Sequence, residues 1–416
     1  MHEMRLTPTP LRRAATVLTA LGLAAGLQLA AGTGANSAPA EGSAPAEGDL
    51  RLAPAATAID GQWIVVLKSG EVAKSETRSV ARDLAGTADV RPDHVYRTAL
   101  RGFSAEMSKA EAAELARDPR VAYVEQDAVM RITDTQNNAT WGLDRIDQRD
   151  LPLSTTYTYN TTAADVTAYI IDTGIRTTHN EFGGRASVGT DTVGGGQNGQ
   201  DCNGHGTHVA GTVGGSTYGV AKQAKLVAVR VLSCSGSGST AGVVAGIDWV
   251  TANASGPSVA NMSLGGGAST TLDDAVKRSV ASGVTYAIAA GNGDIFGTPQ
   301  NACNYSPARV PEAITVGATD NTDRRASWSN FGTCLDLFAP GVSITSGWYT
   351  SDSATNTISG TSMATPHTAG VAALYLQGNP SATPAQVGQA VVDNTTPNKV
   401  QDPRTGSPNR LLYSLF

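Results

Sequence analysis

The chain is short of charge. Aspartate, glutamate, lysine and arginine make up 16% of its 416 residues, against about 25% in an ordinary soluble protein. That argues against a coiled coil and against a charged disordered chain. Cysteine is scarce too. Four of them are too few for a miniprotein built on disulfides, yet enough for two staples in an oxidising compartment. Positive charge is not in excess: 30 basic against 36 acidic residues give a net charge of −6. The chain therefore has no general attraction for phosphates or anionic lipid, which disfavours nucleic-acid and membrane-surface roles. Beyond residue 31 no apolar run is long enough to span a bilayer. Glycine, by contrast, is abundant at 46 residues, where about 7% is usual. With 40% hydrophobic residues, this reads as a turn-rich globular protein with a large core. At ~150 residues per domain the length allows two or three domains.

The N-terminus speaks to the compartment. Arg5, Arg12 and Arg13 precede the apolar run 14–31, and small residues with an A-x-A spelling at Ala38-Pro39-Ala40 follow. This order predicts a secretory signal over 1–38 and an extracellular protein. The competing reading, a membrane anchor, lacks a stop-transfer charge cluster. Residues 39–57, rich in Ala, Pro, Gly and Glu, read as a disordered connector.

Residues 58–133 have their own texture. QWIVVLK (62–68), GFSAEM (102–107) and VAYVE (121–125) alternate or run like strands. Residues 71–85 are compatible with a helix, and Ser108-Lys109-Ala110-Glu111 spells a capping box opening another. The expectation is a small α+β domain, placed as a pro-region between signal and main domain. From 134 to 416, apolar strands (166–172, 226–232, 258–263, 284–290, 313–318) alternate with helical stretches (205–215, 240–251, 271–282, 361–377, 384–393). That pattern predicts a doubly wound, mostly parallel α/β sheet with helices on both faces. Functional groups in such sheets gather at the carboxyl ends of strands.

Three segments fit that location. Asp172 ends the strand in YIIDTGI, His205 opens a helix in NGHGTHVAG, and Ser362 opens another in SGTSMATPH. Each alone is weak; a serine at a helix start is usually only an N-cap. Together they describe a mechanism. A serine hydroxyl needs an imidazole to remove its proton. The imidazole needs a buried carboxylate to hold its tautomer. The oxyanion needs donors, which the helix start at Ser362 and the amide of Asn292 in AIAAGNG can offer. His208 lies one turn from His205, so residue chemistry alone leaves open which is the base. A zinc reading of HGTH fails for want of the H-E-x-x-H glutamate. An esterase of the α/β-hydrolase type would need G-x-S-x-G and the order Ser…Asp…His. A dead scaffold would need a lost member of the three.

DTG, HGTHVAG and GTSMATPH resemble the three signature blocks of the subtilisin-like serine proteases, the subtilases. The intervening blocks WGLDRID, NMSLGGG, NACNYSPARV, DLFAPG and SPNRLLYSL resemble the proteinase K branch, and the aqualysin-like enzymes within it most. The likeness covers most of 58–416. VYRTALRGFSAEMS and VAYVEQDAVM resemble the inhibitory propeptides of that family, whose last residues lie in the active-site cleft. The resemblance implies a secreted serine endopeptidase, made as a self-processing zymogen cut near 130–137, inhibited by its own propeptide and acting on protein and peptide substrates as a monomer. Asp172 would orient, His205 would be the acid and base, Ser362 the nucleophile, and Asn292 an oxyanion donor. Gly236, Ser237 and Gly238 on one edge, with Ser263, Leu264 and Gly265 on the other, would hold substrate backbone as an added strand. Ala289, Ala290 and Gly291 would line an S1 pocket for a large apolar or aromatic side chain. The stretch GDIFGTPQ, residues 293–300, is longer than in close relatives. No appended C-terminal domain is expected.

The four cysteines allow three pairings, and their spacing does not choose. The resemblance implies Cys202–Cys234 and Cys303–Cys334. Calcium prefers several hard oxygens. Asp144, Asp147 and Gln148, with Ser154 and Thr156, resemble a calcium site of the aqualysin-like branch. Asp336 with the carbonyls of Pro311 and Ala313 resembles one of proteinase K. The plain alternative is solvated acidic surface. No organic cofactor is expected.

Overall fold

A computed structural model describes residues 48–53, 58–129 and 134–416. The expected signal, most of the connector and residues 130–133 at the expected processing boundary lie outside the described residues.

The first unit is a five-stranded sheet with two helices on it. Its strand order is Leu50–Arg51, Val121–Ala128, Ala58–Leu67, Gly102–Glu106 and Pro92–Tyr96. Alternate residues of its central strands, such as Trp63, Val65, Phe103 and Ala105, face the helices and are buried. The capping box at Ser108 forms: Glu111 N–H donates to Ser108 Oγ while Ser108 N–H donates to Glu111 Oε2. Three features differ from the sequence reading. The helix expected over 71–85 spans Thr77–Thr87. The turn before it is held instead by Arg101, whose guanidinium donates to the Ser69 and Val72 carbonyls. Pro92–Tyr96 forms an edge strand too polar to be seen by alternation. Leu50–Arg51, expected in a structureless connector, pairs parallel with Val124–Glu125, and the Arg51 guanidinium stacks on the Tyr123 ring at 3.7 Å.

The main domain is organised around seven parallel strands. Their order is Ala186–Asp191, Lys225–Arg230, Thr167–Asp172, Ser258–Met262, Thr285–Ala289, Ile314–Thr319 and Leu337–Pro340. Arg410–Leu411 extends it, with the antiparallel Thr396–Pro397 at the margin. Both faces are covered, so the strands read as continuous apolar runs. In Thr167–Asp172, Ala168 and Ile170 join one core with the helices His205–Gly214 and Thr361–Gly378. Tyr169 and Ile171 join the other, with Thr240–Asn253 and Thr270–Ala281. The expected doubly wound sheet is thus the observed one, with two parallel strands the sequence reading did not list: the edge strand Ala186–Asp191, whose sequence ASVGTD carries no strong pattern, and the short buried strand Leu337–Pro340, four residues ending in proline. The chain leaves Thr167–Asp172 to one side and returns to pair on its other side at Ser258–Met262. Asp172 therefore ends the strand at the switch point, where an open α/β sheet leaves a crevice.

Candidate active site

Asp172 and His205 are brought together by two interlocked glycine turns. The strand ends at Asp172, and Gly174 follows at φ +104°. A Cβ on Gly206 would lie 2.1 Å from the Gly174 carbonyl oxygen, so only glycine lets the helix start sit this close to the strand end. His205 Nδ1 then lies 2.8 and 2.9 Å from the two Asp172 carboxylate oxygens. Asp172 is fully buried, while a quarter of the His205 side chain remains exposed. Burial pulls the imidazole pKa down, but the charge and hydrogen bonds of Asp172, with Asp201 behind, outweigh it and raise it above the ordinary value. A second carboxylate holds the loop. Asp201 accepts from the Asn203, Gly204 and Thr207 N–H groups and from the hydroxyls of Thr173 and Thr207. The Cys202–Cys234 disulfide ties that loop to the segment bearing Gly236–Gly238.

Ser362 lies in the first turn of Thr361–Gly378, whose N-cap is Gly360. Pro366 sits four residues on. It has no N–H to give the Ser362 carbonyl, and its ring crowds that carbonyl. The missing donor comes from across the cleft: Ser263 Oγ donates to Ser362 O at 2.8 Å and accepts from Asn261 Nδ2 at 2.9 Å. Ser263 also receives the Ser362 side chain, whose Oγ donates to the Ser263 carbonyl at 3.1 Å. Asn292 is oriented by its own oxygen, which accepts from both the N–H and the hydroxyl of Thr361 at 2.8 Å. Its Nδ2 is thereby turned toward the Gly360–Ser362 turn, 3.5 Å from where a Gly360 Cβ would stand. Ser362 N–H belongs to the first turn, where the helix offers it no acceptor.

Two hollows flank Ser362. One is walled by His205, Leu232, Gly236–Gly238 and Ser263–Gly265. The other is walled by Ala289, Ala290, Gly291, Asn292 and Ser362, with Tyr305 opposite. They share the Leu264–Gly267 edge, which the pairing of Gly266–Gly267 with Tyr305–Ser306 holds in place. Buried Asn330 fixes the floor of the second hollow. Its amide donates to Ala290 O and accepts from Gly293 N–H and Gln300 N–H.

A buried carboxylate, an imidazole and a hydroxyl at a helix start, beside free donors and an extended cleft, can perform acyl transfer. The comparisons agree with that chemistry. The model of the Subtilase family matches residues 164–410, more than half the chain. The chain belongs to the subtilase family. The Peptidase inhibitor I9 family matches residues 62–133. The subtilase is 55% identical to an extracellular serine proteinase of Thermus sp. (strain Rt41A), over 87% of this chain and 91% of that one. It is 53% identical to alkaline serine exoprotease A of Vibrio alginolyticus, over 88% and 70%. A crystal structure of a cold adapted subtilisin-like serine proteinase aligns with a TM-score of 0.65 at 59% identity, covering 67% of this chain and 100% of that one. The protein is thus a serine proteinase with a subtilisin-type α/β fold and an I9-type propeptide.

The other sequence candidates of this subtilase separate in the structure. His208 is fully buried and points away from His205, with Nε2 at 2.9 Å from Ile344 O and its ring edge-on to Trp348. Burial pushes its pKa down to about 4, the state of a core histidine rather than a base. The cysteines pair as Cys202–Cys234 and Cys303–Cys334. Among the described residues no three His, Cys, Asp or Glu side chains are grouped to hold an ion, so any cation must also draw on hydroxyls and carbonyls. At the first calcium candidate, Asp144 accepts from Ser154 and Thr155, and the Ser154 and Thr156 hydroxyls lie 2.7 Å apart. Asp147 accepts from Thr158 N–H through Oδ2, while its buried Oδ1 has no partner. Burial, with Asp144 nearby, pushes the Asp147 carboxyl up to about 6. A buried carboxylate oxygen with no partner is a ligand suited to a hard cation. Gln148 is turned aside, donating through Nε2 to the Asp150 and Pro152 carbonyls. At the second, the N–H of Thr315, two residues past Ala313, donates to Asp336 Oδ2 at 2.7 Å. Burial pushes Asp336 up to about 6 as well.

Asp201, Asn330, Thr361 and Pro366 escaped the sequence reading. Asp201 had a signal, an Asx-type turn in Asp-Cys-Asn-Gly. Asn330 had none, since its partners lie 30 to 40 residues away in sequence.

Proposed function

We propose that this subtilase is a secreted, broad-specificity endopeptidase acting through an acyl-enzyme on Ser362. The observation carrying this is the His205–Asp172 pair, with both carboxylate oxygens on Nδ1. It leaves Nε2 as the basic nitrogen. For attack, the Ser362 hydroxyl turns from the Ser263 carbonyl to His205 Nε2, which takes the proton as the oxygen adds to the peptide carbonyl. Asp172 stabilises the imidazolium that forms. Asn292 Nδ2 and Ser362 N–H receive the oxyanion. His205 then delivers the proton to the leaving amine, and water repeats the cycle on the ester. Substrate backbone lies between 236–238 and 263–265 as an added strand, so affinity depends little on sequence. The small walls at Ala289, Ala290 and Gly291 leave room for a large apolar or aromatic P1 residue.

Residues 58–133 serve as inhibitor and folding aid, cut by the enzyme near 130–137 to leave a monomeric 134–416. Residues 1–38 direct secretion; the name of the Thermus relative, an extracellular serine proteinase, supports this. Calcium at Asp144, Asp147, Ser154 and Thr156, and at Asp336 with the Pro311 and Ala313 carbonyls, would add stability and no chemistry. The test is stoichiometric labelling by a sulfonyl fluoride, mapped by peptide mass, with anilides varied at P1. Label on Ser362 and preference for Phe or Leu over Gly support the reading. Label elsewhere with activity lost, or preference for charged P1, refutes it.

A further inference from the structure

Asn292 sits in pliable backbone. It lies between Gly291 and Gly293, both at positive φ, +99° and +82°, and glycine has the widest conformational freedom of any residue. A side-chain amide set between two such residues keeps one direction only if its backbone is braced from outside. Thr361 holds the side chain: its N–H and hydroxyl both donate to Asn292 Oδ1, and that hydroxyl accepts from Gly291 N–H at 3.1 Å.

The backbone on either side is held by Asn330, which is 1% exposed. Its Nδ2 donates to Ala290 O at 2.8 Å and its N–H to Gly291 O at 3.0 Å. Its Oδ1 accepts from Gly293 N–H at 3.0 Å. One residue thus grips the chain both before and after Asn292. The same Oδ1 accepts from Gln300 N–H at 2.8 Å, so the 293–300 loop closes on the atom that holds Gly293. A Cβ on Gly291 would stand 2.5 Å from Asn330 Nδ2, which leaves the amide no slack against the strand end. The segment carrying Asn330 is anchored in turn by buried Arg325, whose Nη1 donates to the Ala326 and Ser329 carbonyls at 2.7 and 2.8 Å. Resting on the oxyanion role given to Asn292 above, we propose that Asn330 is a positioning residue of the catalytic centre: it aims Asn292 Nδ2 at the oxyanion by pinning the backbone on both sides. Its contribution to the reaction passes through Asn292.

The test is a double-mutant cycle of Asn330→Ala and Asn292→Ala, read with a peptide anilide and two inhibitors built on the same peptide. In the aldehyde, Ser362 Oγ adds to the carbonyl carbon and the adduct places an oxyanion in the site. The matching alcohol fills the same hollows and forms no adduct. Asn330→Ala should lower anilide kcat about tenfold, part of the roughly 10²-fold that about 1 Å of misplacement can cost. The aldehyde Ki should rise by a similar factor, while KM and the alcohol Ki move less than about threefold. In the Asn292→Ala background the same substitution should cost less than about twofold. Asn330→Asp keeps acceptors for Gly293 and Gln300 and removes the donor to Ala290 O, and it decides the matter where the alanine variant fails to fold. Its loss should also vanish in the Asn292→Ala background, where an effect of the added charge would persist. Additive losses overturn the proposal. So does an alcohol Ki that rises with the aldehyde Ki, which would leave Asn330 as the floor of the hollow alone. An Asn292→Ala effect below about threefold fails the oxyanion reading, and a wild type that cleaves no anilide fails the endopeptidase reading. Each of these takes the proposal with it and is distinct from additivity in the cycle.

Discussion

Ser263→Ala isolates the role of one hydroxyl in holding Ser362, the proposed nucleophile. Because Pro366 has no N–H, the Ser263 hydroxyl supplies the Ser362 carbonyl with the donor the helix lacks. The substitution leaves that carbonyl, and the Asn261 amide behind it, without a partner. It leaves intact the Ser263 carbonyl that faces the cleft. An unsatisfied buried acceptor costs about 1–3 kcal/mol. If the helix start relieves this by shifting, Ser362 moves relative to His205 and Asn292, and about 10- to 100-fold in kcat is at stake. KM on a peptide anilide should change less than threefold, since the backbone edge is retained. Pro366→Ala provides an independent check, because residue 366 would then donate to Ser362 O within the helix. The double variant should recover much of what Ser263→Ala loses, a non-additive cycle. Steady-state kinetics with active-site titration would read it. An unchanged kcat in Ser263→Ala, or strictly additive losses in the double variant, would refute the reasoning.

Three further outcomes are expected. Asn292→Ala should lower kcat by about 10²–10³-fold with little change in KM, the loss known for removing one such donor in subtilisin; an effect under threefold would deny it the oxyanion role. The Asp172 carboxylate raises the His205 pKa despite burial, and the base works only when neutral. The rising limb of kcat/KM against pH should therefore lie above the ordinary histidine value, and Asp172→Asn should move it down while cutting kcat steeply; a limb at or below the ordinary value would contradict this. Asp147 and Asp336 have carboxyls pushed up to about 6 by burial. Without a cation, the folded state favours their protonated forms, so their contribution to stability falls as pH rises from the ordinary carboxylate range through about 6. Calcium should accordingly raise Tm by several degrees at pH 8, since saturation at 100 Kd contributes about 2.7 kcal/mol, and by much less at pH 5. Equal shifts at both values, or none at pH 8 in chelator against calcium, would remove the sites.

The parts legible in sequence were those whose causes are local. Asp172, His205 and Ser362 each sit where an apolar run meets a glycine turn or a helix start, so strand end and helix start could be placed from spelling. The sheet was legible because strands buried on both faces cannot be polar. The strands Ala186–Asp191 and Pro92–Tyr96 lie at sheet edges, where little burial is demanded and the pattern is correspondingly weak. Asn330 and the Ser263 hydroxyl act across the fold, on partners dozens of residues away, and no local spacing announces them. His208 shows the converse. Its spacing from His205 suggested an alternative base, and only the packing of Ile344 and Trp348 around it assigns it to the core.

The most direct test of the central claim is the intact mass and anilide hydrolysis of secreted wild type and Ser362→Ala, expressed side by side with calcium. Wild type should lose residues up to about 130–137 and cleave the anilide, while Ser362→Ala keeps its propeptide and is inert. If Ser362→Ala matures and cleaves as well as wild type, Ser362 is not the nucleophile and the proposed mechanism is wrong.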